Sequence, residues 1–146
     1  MSAATAHDAN PYLAGAAAAS LLSDLRRATD GRTGDRLSIA IRAVTKAGST
    51  LPPAEVETAI AAIALLLAEY QPGLLDGAVD EQGLRDWLAD VDTELTPGRK
   101  LAASAAIGRI ALGLKNEWYD AHVDAGTLGA ALTALFRLRD ALTDSG

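Results

Sequence analysis

A lysine and a histidine stand where a helix ought to be apolar. Between Pro97 and Asp124, Leu101, Ala105, Leu112 and Val123 form one flank of a helical wheel and Ile107, Ile110, Leu114 and Trp118 another. The line between them is polar, made of Ser104, Lys115 and His122, with room beside Gly108 and Ala111. Trp118 and Tyr119 bracket its lower part. An apolar recess with a few converging polar groups is the usual make-up of a small-molecule site, so Ser104, Lys115, Trp118, Tyr119 and His122 are the expected ligand-binding residues. If the protein is an enzyme, His122 would move protons near neutral pH, Lys115 would hold an anionic group and Tyr119 would donate a hydrogen bond. A plainer explanation competes: Lys115 runs its stem past the core into water, and His122 sits in the last turns, where the helix dipole favours a cation. Asp120 and Asp124 lie two residues from His122 and point to other sides of the helix, so any carboxylate partner must come from another element.

A second candidate is electrostatic. Residues 26–46 carry six basic side chains against Asp30 and Asp35, whereas residues 76–94 carry seven acidic ones against Arg85 alone. Asp86, Asp90 and Glu94 recur every four residues and would form a carboxylate ridge, with Arg42 and Lys46 as a matching basic pair on the second helix. Such a ridge can be a solvated face, a docking surface for a basic partner protein, or part of a magnesium–diphosphate site. Other metal chemistry lacks ligands: there are two histidines and no cysteine, and Glu117 to His122 is the wrong offset for the Glu-x-x-His pair of a di-iron bundle. Asp90, Asp92 and Glu94 alternate as in a calcium loop, but Leu95 stands where that loop needs glycine. No metal site and no cofactor is expected.

The elements that must position these groups read as helices. Ala59 to Ala68 is a run of ten apolar residues inside a helix expected over about 53–70, with Val56, Ile60, Ile63, Leu67 and Tyr70 on one broad face and Leu65 opposite. A helix apolar on most of its circumference belongs among other helices. Asn10-Pro11 should start a first helix running to about Thr29 with Leu21, Leu25 and Ala28 inward, and Leu37, Ile41 and Val44 mark a second that Gly48 ends. Asp80 should cap a fourth helix with the stripe Leu84, Trp87, Leu88, Val91 and Leu95. Thr96-Pro97 starts a long helix reaching Asp124. Gly126 stops it, and Thr127 caps a last helix with Leu128, Ala131, Leu132, Leu135 and Leu142 inward; Arg139 falls on the same stripe and either bends out to water near the chain end or pairs with an acid from the fourth helix.

The expected fold is therefore all-α: a single compact bundle of five to six helices over residues 10–146, around the central helix 53–70 and the long helix 97–124, preceded by a disordered tail over 1–9. The longest apolar run is too short for a bilayer span, and the stretch before Arg26 has no basic start and holds Asp8, which argues against a secretory signal and for the cytoplasm. A net charge of −6 opposes binding to nucleic acid or an anionic membrane. Alanine and glycine along Ala102 to Gly113 would permit a close contact between copies, hence an expected homodimer. Two functions follow. The favoured one is a non-enzymatic interaction or small-molecule-binding protein using apolar helix faces and the acidic ridge. The alternative is a small helical enzyme, or accessory enzyme subunit, with a pocket lined by Trp118, Tyr119, His122 and Lys115.

Overall fold

A computed structural model describes residues 10–28, 31–46 and 50–145; the expected tail over 1–9 lies outside them. In chain order the described helices are α1 (Ala16–Arg27), α2 (Thr33–Ala43), α3 (Pro53–Leu67), a 3-10 turn (Pro72–Leu75), α4 (Glu81–Asp90), α5 (Pro97–Leu112), α6 (Glu117–Ala125) and α7 (Leu128–Asp144). The all-α class and a compact helical packing are as expected. The count of five to six becomes seven among the described residues, because the long helix is two. The β structure among these residues is one isolated parallel bridge between Leu51 and Asn116.

Helix α3 begins with proline in its first turn beside Glu55, and every residue from Ala59 to Leu67 is buried. Leu65, expected opposite the main stripe, is as enclosed as Ile63, since α3 packs against α1, α2, α5, α6, α7 and the 3-10 turn. An all-round apolar helix loses its full hydrocarbon surface to neighbours this way. Tyr70 departs from expectation. The helix ends at Leu67, whose carbonyl accepts from the Tyr70 and Gln71 amides in a turn, and the Tyr70 ring is exposed.

The chain's N-terminal signal is used differently from the expectation. The Asn10 Oδ1 accepts from the Tyr12 and Leu13 amides at 2.8 and 2.9 Å, which is capping geometry, but α1 starts only at Ala16. The Asn10 amide meanwhile donates to the Leu74 and Asp76 carbonyls at 2.7 and 2.9 Å. Its side chain is spent tying this turn to the 3-10 turn, which places Tyr12 and Leu13 in the core.

Three further expectations are corrected, and Arg139 takes the solvent-facing of its two expected positions. Helix α4 stops at Asp90, and Val91 is extended at φ −115° and ψ 158°, so Val91, Leu95 and Glu94 are not on its surface. Asp80 occupies the cap position in a left-handed conformation (φ 52°) and its side chain accepts no capping bond. Thr127 precedes α7 without capping it either. Arg139 is exposed, its guanidinium 4.5 Å from the Phe136 ring centroid and 3.8 Å from Asp140.

The break in the expected helix 97–124 matters most for function. Thr96 does cap α5, accepting from the Arg99 amide at 3.2 Å, but Gly113 at φ 78° ends it and Lys115 follows at φ 49°. Asn116 then restarts the chain: its Oδ1 accepts from the Tyr119 amide at 2.9 Å and its Nδ2 donates to the Ile110 carbonyl at 2.9 Å. The Leu51 amide donates to the Lys115 carbonyl (2.8 Å), and the Glu117 amide donates to the Leu51 carbonyl (2.9 Å). The segment leading into α3 thus clamps the junction, and α6 leaves it on a new axis.

Candidate functional site

That new axis sets the position of Trp118 and His122. Both line a cavity of about 310 Å³ walled by the start of α1, by α3, α6 and α7. Its floor is Ile60 and Leu135, and it exists because the facing surfaces of α1 and α7 are Gly15, Ala18, Ala130, Ala131 and Ala134, which leave side-chain volume unfilled.

Three polar groups accompany the imidazole. The His122 ring meets Trp118 edge-on, centroids 4.7 Å apart and planes at 72°, and its Nδ1 shares a 2.7 Å hydrogen bond with the Thr127 Oγ1 across the α6–α7 turn. The Thr127 amide donates to the His122 carbonyl at 2.9 Å, so the turn backbone holds the pair together. The Tyr12 hydroxyl donates to the Ala134 carbonyl at 2.9 Å and keeps its oxygen lone pairs for a further donor. Burial pushes the Tyr12 phenol above its ordinary value, a shift that Arg137 partly opposes. Glu57, of intermediate exposure, projects from α3 beside Gly15, and its carboxylate has no hydrogen bond or ion pair among the described residues.

The sequence-based set is divided by the helix break. Trp118 and His122 come together in the cavity, while Lys115, Tyr119 and Ser104 are not among the residues lining it. Lys115 lies exposed in the α5–α6 junction; Tyr119 lies over Gly113, where an added Cβ would sit 3.0 Å from the ring. Ser104 lies in a shallower depression with Lys100, Leu101 and Leu142. A helical wheel carried through Gly113 to Asn116 assigned one line to residues on two axes. Tyr12, Glu57 and Thr127 were missed as site residues. Thr127 had a signal, five residues past His122 across Gly126; Glu57, near the start of α3, had none.

The acidic region is also rearranged. Asp86 and Asp90 stay exposed on α4, with the Gln82 amide donating to Asp86 at 2.9 Å, but Glu94 lies past the helix end. There it edges an open groove of about 590 Å³, with Glu69 and Asp92 as further carboxylates and Leu65, Leu75 and Leu88 beneath. Arg85, the basic residue lining that groove, is held by Asp76, Glu81 and the Pro72 carbonyl at 2.9, 2.8 and 3.0 Å. The Arg85 hydrogen bond, with a second from the Gly77 amide, lowers the Glu81 pKa. Some of the segregated charge is matched within the fold: Arg26 approaches Asp80 at 3.7 Å, and Arg99 donates to Asp35 at 3.0 Å.

Among the described residues no three metal-ligating side chains converge, and no helix is long and apolar enough to cross a membrane. No protein-family model matches the sequence, and no curated protein and no solved structure matches it.

Proposed function

We propose that this protein is a non-enzymatic helical binding module, one domain from residue 10 onward organised around α3, whose cavity takes a small apolar molecule with a cationic head. The observation that carries this reading is Glu57. A carboxylate at the edge of an apolar recess, with no cation beside it among the described residues, offers an ammonium group a charge-assisted hydrogen bond. The Tyr12 oxygen offers a second acceptor, and Trp118 and the alanine walls suit a hydrocarbon body. Acidic or strongly polar ligands are disfavoured by the same groups.

Calorimetric titration with benzylamine, benzyl alcohol and benzoate tests the assignment. Benzylamine should bind, benzyl alcohol more weakly, and benzoate not detectably. Glu57→Gln should weaken benzylamine by about tenfold or more, the loss of a charge-assisted hydrogen bond of roughly 1.5–3 kcal/mol. Benzoate binding best would reject the cationic head; no binding by any of the three would reject the site.

A second reading is favoured by one contact. The His122–Thr127 hydrogen bond is a base and a hydroxyl in nucleophile–base contact, at the wall of a cavity. Against it, no carboxylate among the described residues bonds the second ring nitrogen, so the orienting third member of such a constellation is lacking. Hydrolysis of a nitrophenyl ester at a rate that Thr127→Val abolishes would establish this reading over simple binding.

A further inference from the structure

The chain carries two exposed surfaces of opposite charge, each with an apolar centre. On α2, Leu37 and Ile41 are buried while Ile39 is 70% exposed on the outer face. Arg42 follows Ile39 by one turn, whereas Lys46, expected on the same helix, lies past its end at Ala43 beyond the turn closed by the Thr45 amide on the Arg42 carbonyl; both are exposed, with no acidic partner among the described residues. The groove between the end of α3, the 3-10 turn and α4 is the complement. Leu65, Leu75 and Leu88 floor it, Tyr70 stands 45% exposed at its side, and Glu69 and Glu94 are exposed carboxylates at its edge. Arg85 adds no free positive charge there, because Asp76 and Glu81 already hold it.

We infer that the groove receives the outer face of α2 and the turn that follows it from a second copy of this chain, with Ile39 seated on the apolar floor and Arg42, with Lys46 beyond the helix end, meeting Glu69 and Glu94. Both surfaces are exposed and uncovered by one another among the described residues, which leaves each to a second copy. Each copy offers both halves, which makes the contact heterologous: copies join head to tail, closing into a ring or extending as a chain according to the rotation between them. The surfaces lie apart from the cavity of Tyr12, Glu57 and His122, so self-association proceeds with that site empty or filled.

Sedimentation velocity of the full chain over a concentration series tests this, with circular dichroism to verify that each variant is folded. The wild type should associate with rising concentration, and added salt should weaken the association at least tenfold, because the paired charges are exposed. Arg42→Glu with Lys46→Glu should be monomeric, as should Glu69→Lys with Glu94→Lys; Ile39→Asp is a second route to the same loss. An equimolar mixture of the two charge-reversed chains should associate again, since the native contact and its charge-swapped counterpart are both complementary between unlike chains. A monomeric wild type, undiminished association in either variant, or a mixture that fails to pair would each overturn the inference. So would association lost only in Leu101→Asp, which would move the contact to the exposed edge of α5.

Discussion

The cavity behind Trp118 and the groove beside α4 are concavities cut into the same aliphatic core, yet they are formed in opposite ways. The cavity comes from deletion: glycine and alanine occupy facing positions of α1 and α7 where larger side chains would have filled the space. The groove comes from interruption: α3 ends at Leu67 and α4 at Asp90, and the connecting segments pull away from the helices they leave. Deletion gives a bounded volume with fixed polar groups, suited to a small molecule. Interruption gives an open trough edged by charge, suited to another protein surface.

The contrast can be broken first at the core that both share. Ile63 is fully buried on α3, so Ile63→Ala should cost roughly 2–5 kcal/mol in urea unfolding. A cost below about 1 kcal/mol would mean that α3 is not sealed and that neither concavity has a rigid floor. Asn116→Ala should come next, at roughly 1–3 kcal/mol, since it removes a helix cap and leaves the buried Ile110 carbonyl without its donor. Because Asn116 sets the axis of α6, this change should also weaken ligand binding in the cavity while self-association stays intact; equal damage to both would show that the two regions are not separable.

Smaller effects sharpen the distinction. Ala134→Leu projects hydrocarbon into the cavity, so it should abolish benzylamine binding in calorimetry while changing stability by less than about 1 kcal/mol. Retained binding would place the ligand elsewhere. The Tyr12 phenol is raised in the fold, so it holds its proton more tightly folded than unfolded. Its contribution is then complete below the ordinary value of 10.0 and is lost as pH rises through the folded value. Urea midpoints should therefore fall above pH 10 more in the wild type than in Tyr12→Phe; identical slopes would remove Tyr12 from the buried cavity wall.

Much of the fold was legible because its signals are strong and local. The apolar run Ala59 to Ala68, the Thr96-Pro97 start and the absence of strand periodicity each have a single physical meaning. The boundary at Gly113 to Asn116 was present as glycine followed by a capping residue, but alternate apolar residues on both sides let a continuous wheel pass through it. The Leu51 clamp that fixes the break is a pairing between segments some sixty-five residues apart, beyond the reach of any window. The site was legible by halves for the same reason. Trp118 and His122 belong to one helix and share its periodicity, whereas Tyr12 and Glu57 join them only through tertiary packing. Asn10 shows the limit from the other side: its capping bonds form as expected, yet α1 starts only at Ala16.

A crystal structure with benzylamine bound tests the central assignment most directly. The ammonium nitrogen should lie within hydrogen-bonding reach of the Glu57 carboxylate, with the ring between Trp118 and the alanines of α7. A ligand lodged elsewhere, or a cavity closed by Trp118 and left empty, would contradict it.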